Sequence, residues 1–256
     1  MGERQWPGVV EEGPVRHPGN LEAPTSAGTV TAVGPTERFA EIVLGADDIV
    51  PLDEAWALLT AHAHPAVDPD ALLTGLDDLA AGCRVPTLDG LRHHLFVDQG
   101  FVGNQDDYYD PANTYLDDVL ERHLGIPITL AVLTMEVGRR IGVPVDGVGL
   151  PGHFLLRDRV DPTVFVDAFR GGEVLDREGC VRVLQRLHGP DIRLDPSWLE
   201  PVGRRAILER MLANLVRVFQ QRNAHADLLW ARDLQVHLAT ARADPRARLR
   251  LRAGLN

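Results

Sequence analysis

The sequence predicts an α+β protein, and three observations carry the prediction. Apolar residues recur three and four apart through the first half and again near the C-terminus, the period of amphipathic helices. One segment, "PITLAVLTMEVGRRIG", is apolar at nearly every position up to Val137, around all faces, as a helix buried at the centre of a fold would be. Between that segment and the last helices the texture changes to short runs of Val, Leu and Phe broken by Gly and Pro, which read as strands. An N-terminal helical lobe, a central helix, a small antiparallel sheet and a C-terminal helical pair follow.

In chain order, residues 1–36 hold Pro7, Pro14, Pro18, Pro24 and Pro35 among glycines, without a helical or strand period, and are expected to be a disordered leader. Residues 37–200 are expected to form the main domain. "PLDEAWALLTAHAHP" and "DPDALLTGLDDLAAGCRV" start with Asp53 and with Asp68 or Asp70, acids suited to a helix N-terminus. "TLDGLRHHLFVDQG" keeps the same period through Leu88, Leu91, Leu95 and Phe96. A polar loop then runs into a short helix around "TYLDDVLERHL", with Asn113 or Thr114 as its expected cap. The central helix is expected to end at Gly142, with Arg139 and Arg140 at the negative end of its dipole. "PVDGVGLPGHFLLRD" and "TVFVDAFRGGEVL" are expected to be two adjacent strands, the first carrying His153 and the second Asp167. After the helix "REGCVRVLQRLHG", residues 201–256 are expected to form a helical hairpin, in which Ile207, Met211, Leu215 and Val218 make one apolar stripe.

Composition excludes several classes. A formal net charge of -11 gives no basic footprint for a nucleic-acid backbone, so no nucleic-acid partner is expected. No apolar run approaches the roughly 18 residues of a membrane span, and the N-terminus lacks signal-peptide order, so a cytoplasmic protein with no membrane partner is expected. Cys83 and Cys180 form no C-x-x-C pair, and neither a disulfide framework nor a thiolate metal site is indicated. His62 with His64 and His93 with His94 lack a ligand frame and are expected at the surface. No cofactor motif is present, and none is expected.

A polar residue in the first turn of a buried helix, then His153, then Asp167, is the chain order of cysteine-protease-like triads. There a helix N-terminus activates the nucleophile, a His acts as base and an Asp orients the imidazole. No Cys lies near "GIPITL". Pro127 suits a first helical turn because its missing N–H costs nothing there. Thr129 is open to three roles, a backbone cap, a ligand contact or a nucleophile served by His153. Ahead of the helix, Tyr108, Tyr109, Asp110 and Asn113 crowd one loop and, with Pro127 at the helix start, are candidates for a ligand-binding wall. A solvated acidic turn and a calcium site are the alternatives.

"YYDPANTYLDDVL", "GIPITL" and "GVGLPGHFLLR", in this order, resemble the SirB-one type transglutaminase-like family, a bacterial group also linked to a eukaryotic F-box protein. The resemblance is densest over residues 105–157 and extends loosely from about 39 to 243. It implies a papain-related core in which the nucleophilic Cys opens the central helix. Counted back from Gly142 of "GVP", that place falls on Pro127, while the family's His and Asp carry over to His153 and Asp167. The family's usual Ser stands as Thr129 here, and the Pro after its Asp as Ala168. The resemblance implies a cleft that binds a peptide, protein or small amide without thiol chemistry. The alternative is an amide hydrolase or acyl transferase using His153 and Asp167 with Thr129 or water.

Overall fold

The computed structural model describes residues 34–243. All but the last three residues of the expected leader lie outside that range, and two of those three, Pro35 and Thr36, already belong to the first helix. The helical lobe comprises α1 (Pro35–Val43), α2 (Leu52–Ala63), α3 (Pro69–Ala81) and α4 (Leu88–Arg92), the last running on into a π-helical stretch, His93–Asp98. Asp68 caps α3 by accepting from the Asp70 N–H, and Thr87 caps α4 through Gly90. The short α5 (Leu116–Arg122) leads to the central helix α6 (Pro127–Arg140). Every residue of α6 from Pro127 to Gly138 is buried. It packs on α2 and α3 and also on the sheet and the C-terminal-lobe helix Arg204–Arg222. That enclosure is why its sequence shows no polar face.

The sheet differs from the expectation. Each of the two expected strands is broken by its glycines and turns into two, giving four antiparallel strands in sequential order. These are β3 (Val145–Val148), β4 (Leu155–Asp158), β5 (Phe165–Asp167) and β6 (Glu173–Leu175). His153 therefore lies in the turn before β4 and not within a strand, and Gly152 supports that turn with a φ of 71°. Both faces of the sheet are covered. Leu156 and Val166, paired across β4 and β5, point into the main core, whereas Leu155 and Phe165 join a second cluster with Cys180, Val183 and Leu184 of α7 (Arg177–His188). Two-sided burial replaces apolar–polar alternation with short continuous apolar runs.

A second departure lies in the helical lobe, where β1 (Val102–Gly103) and β2 (Leu124–Gly125) pair in parallel and bind the two ends of the polar loop together. Gly103 is needed there, because a Cβ would meet the ring of Phe169 at 2.3 Å. Helices α8 (Arg204–Arg222) and α9 (His225–Ala243) close the fold as a pair, turning at Asn223, whose left-handed φ of 54° stops α8.

Charge is buried where α2, α6 and α8 meet. Glu136 of α6 is wholly buried and faces Arg139, Arg140 and Arg204, and both Arg139 and Arg140 reach Asp53 at 2.7 Å. The two arginines at the end of α6 thus clamp carboxylates besides facing a dipole. Burial raises the Glu136 carboxyl, reinforced by Asp53. At Asp53 burial also pulls upward, but the Arg140 hydrogen bond and the charges of Arg139 and Arg140 outweigh it and hold the group low.

Candidate functional site

A cavity of about 610 Å³ opens where the polar loop, the first turn of α6, the His153 turn, the end of β5, α7 and α8 converge. Within it Nε2 of His153 lies 2.9 Å from Oδ2 of Asp167. Asp167 is wholly buried, and its other oxygen accepts from the N–H groups of Phe169 and Arg170, capping the 3₁₀ turn Ala168–Arg170. With the carboxylate held from two sides, Nε2 carries the proton shared with Asp167. Nδ1 is left without a hydrogen-bond partner among the described residues, and the imidazole lines the cavity. Pro127, first residue of α6, lines the same cavity, and neither Cys83 nor Cys180 does.

The polar loop forms a wall braced by hydrogen bonds. Asn104 and Asn113, both buried, hydrogen-bond each other at 2.9 Å, and Asn113 also donates to the carbonyl of Asp107 while Asn104 accepts from the Asp107 N–H. Trp56 of α2 anchors the loop's far end by donating to the Thr114 carbonyl, and Thr60 accepts from the Leu116 N–H. On this frame Tyr108 and Tyr109 stand exposed at the cavity. Tyr109, Tyr108, Phe169 and His153 form a chain of edge-on ring contacts with centroids 5.2, 5.9 and 6.1 Å apart. Asp110 also lines the cavity, paired with Arg122 at 3.0 Å.

Two expected site residues are not where the chemistry needs them. Thr129 is wholly buried. Its hydroxyl donates to the Asn113 carbonyl at 2.8 Å and accepts from the Ile126 N–H, so it fastens the start of α6 to the loop and offers no nucleophile to the cavity. Asn113 uses its amide within the loop, leaving it a support behind the wall instead of part of it. Nor does it or Thr114 cap α5, whose N-cap is Tyr115. Residues that sequence pattern did not single out complete the cavity. Arg210, Asn214 and Arg217 share one face of α8, Arg186 projects from the end of α7, and Arg170 follows Asp167. Their helical spacing was visible, but nothing in the sequence said which face of α8 meets a cleft.

The histidines expected at the surface are only partly there. His94 is buried and bonded to the Leu79 carbonyl, and His62 stacks on Trp230. Among the described residues one group has metal-ligand geometry, His64 with Asp117 and Asp118, whose ligand atoms lie within 4.8 Å of one another. It is outside the cavity, and the 2.5 Å contact of His64 Nδ1 with Asp117 is a hydrogen bond that ties α5 to the end of α2.

The central helix thus opens onto a cleft beside His153, in the turn before β4, and Asp167, at the end of β5, the order that the resemblance to transglutaminase-like proteins implies. The chain belongs to the transglutaminase-like superfamily, whose family model matches residues 54–213. Among its relatives, a UPF0162 protein of Xylella fastidiosa is 39% identical over 69% of this chain and 68% of its own length. A UPF0162 protein of Pseudomonas aeruginosa is 32% identical over 64% of this chain and 63% of its own. Mouse F-box only protein 21 is 31% identical over 59% of this chain but only 25% of its own length. No solved structure matches the chain.

Proposed function

We propose that this protein is a SirB-one type member of the superfamily whose cleft binds a peptide or amide-type ligand without thiol catalysis. The observation that carries the reading is the cavity itself. His153 and Asp167 line it, Pro127 stands at the first turn of α6 where a nucleophile would open the helix, and no thiol faces it. The aromatic chain from Tyr109 to Phe169 offers flat apolar surface to a side chain or peptide plane, and the braced loop lowers the ordering cost of binding. The segment shared with mouse F-box only protein 21 makes up a quarter of that longer protein, which suits a self-contained ligand-binding module.

One observation favours a second reading, hydrolysis by water. Asp167 fixes His153 in the tautomer whose Nδ1 accepts a proton, so a water at Nδ1 attacking an amide carbonyl would pass its proton to the imidazole and on to the departing amine. A single experiment separates the two. Glutamine-containing peptides are offered to the full chain, with binding followed by calorimetry and ammonia or amine release followed in parallel. The binding reading expects heat of binding without release in both wild type and His153→Ala. Release by wild type that His153→Ala abolishes would establish the hydrolase, and no binding to any peptide would end both readings.

A further inference from the structure

The cavity wall carries more positive charge than the fold requires. We infer that the ligand is anionic, a peptide whose carboxylate or phosphate group seats on Arg186, Arg210 and Arg217; this rests on the proposal that the cleft binds a peptide. Four arginines line the cavity, Arg170, Arg186, Arg210 and Arg217. Against them stand two carboxylates, and both are engaged, Asp110 by Arg122 and the Ala112 N–H, and Asp167 by His153 and two backbone N–H groups. The side chains of Arg170, Arg186 and Arg217 have no ion-pair or hydrogen-bond partner among the described residues. Such a concentration is unusual in a chain of net charge -11, where most arginines of the fold's interior are paired.

The arrangement is built and not scattered. Arg210, Asn214 and Arg217 lie four and three residues apart on α8, so their side chains share one face. Burial, with Tyr109 beside it, holds the Tyr108 hydroxyl above its ordinary value, and both arginines offset part of that rise, which puts their charge within reach of the aromatic wall. Arg210 is largely buried, stacks over the Phe154 ring at 5.3 Å and donates to the carbonyls of Leu150 and His153, which fixes its position. Burial lowers its pKa, as expected of a cation held without a carboxylate. The first turn of α6 adds the positive end of a helix dipole at Pro127 and Ile128. The chain has no lysine, and its permanent side-chain cations are all arginines, whose planar fork matches carboxylate and phosphate oxygens in pairs. A neutral ligand would leave these guanidinium groups without an acceptor from the protein or from the ligand.

The test uses the full chain and three labelled peptides of one sequence, carrying Glu, Gln or phosphoserine at a single position, with binding read by fluorescence anisotropy at low and moderate salt. The Glu or phosphoserine peptide should bind at least about tenfold more tightly than the Gln peptide, the scale of one charge-assisted hydrogen bond, and the advantage should shrink with salt. Whichever of the two binds more tightly identifies the anion. The double variant Arg186→Gln, Arg217→Gln should erase the advantage while keeping the wild-type melting temperature, because both side chains are exposed and free of partners among the described residues. Equal binding of Glu, phosphoserine and Gln peptides, weakened alike by Phe169→Ala, would overturn the anionic ligand and leave the peptide cleft standing. Tight binding of the charged peptides that ignores the arginine variant but falls with Phe169→Ala would overturn the assignment to these arginines alone. Binding unaffected by either variant, or no binding of any peptide, would overturn both proposals.

Discussion

The hydroxyl of Thr129 donates to the carbonyl of Asn113 at 2.8 Å, joining the first turn of the central helix to the loop that walls the cleft. Because the same oxygen accepts from the Ile126 N–H, Thr129→Val removes two buried bonds at once. It should lower stability by about 2 kcal/mol in urea denaturation, while Thr129→Ser stays near wild type. Peptide affinity should follow stability and not fall further, as it would if the hydroxyl met the ligand.

Asp167 anchors the imidazole and caps the turn behind it. Asp167→Ala should cost about 3 kcal/mol, since two backbone N–H groups and His153 lose their acceptor inside the fold. Urea denaturation reads the cost. A loss below the noise of that measurement would mean water satisfies the groups and the pair is not structurally tight.

The buried cluster around Glu136 predicts a pH dependence. Arg140 and Arg139 hold the Asp53 carboxyl below its ordinary value despite its burial. A depressed folded pKa stabilises the fold above the unfolded value, near about 4, and the contribution is lost as pH falls through the folded one. Asp53→Asn should therefore be less stable than wild type at pH 7, and the gap should narrow towards pH 3. A gap that stays constant across this range would show that Asp53 acts through its shape and not its charge.

The two thiols should differ sharply. Cys180 is wholly buried between the sheet and α7, and burial, with Asp176 nearby, pushes its thiol up to about 12. Cys83 is partly exposed in the loop after α3. In the native protein a maleimide should label one site, Cys83, with the second reacting only after unfolding, as intact-mass spectrometry can show. Prompt double labelling would contradict the packing of α7.

Phe169 stands between Gly103 and the cavity. Gly103→Ala would place a methyl group 2.3 Å from the Phe169 ring and drive the ring out of position. Peptide binding should weaken by about tenfold or more, alongside a stability loss of about 1–3 kcal/mol from overpacking. Unchanged affinity would remove Phe169 from the ligand wall.

Much of this architecture was legible in residue pattern. The near-continuous apolarity of "PITLAVLTMEV", interrupted by Thr129, Thr134 and Glu136, identified α6 as central because burial on every side leaves no polar stripe to read. The order of His153 and Asp167 was equally plain, though their distance was not. What pattern could not give were relations set by tertiary packing. Thr129 looks the same in sequence whether its hydroxyl faces a cavity or a carbonyl, and Asn113 looks the same as cap, wall or brace. Two-residue pairings such as β1 with β2 are too short to leave a period at all. Arg210 and Arg217 sit on a helix whose apolar stripe drew attention to the neighbouring face.

Arg210 joins two tasks in one guanidinium. Its Nη2 holds the carbonyls of Leu150 and His153, on either side of the turn that carries the imidazole, while its helix wall borders the ligand space. Any anion that draws this group towards itself pulls on the backbone of His153 as well. On the proposal of an anionic ligand, occupancy at α8 would bear, through this tether, on the backbone that carries His153.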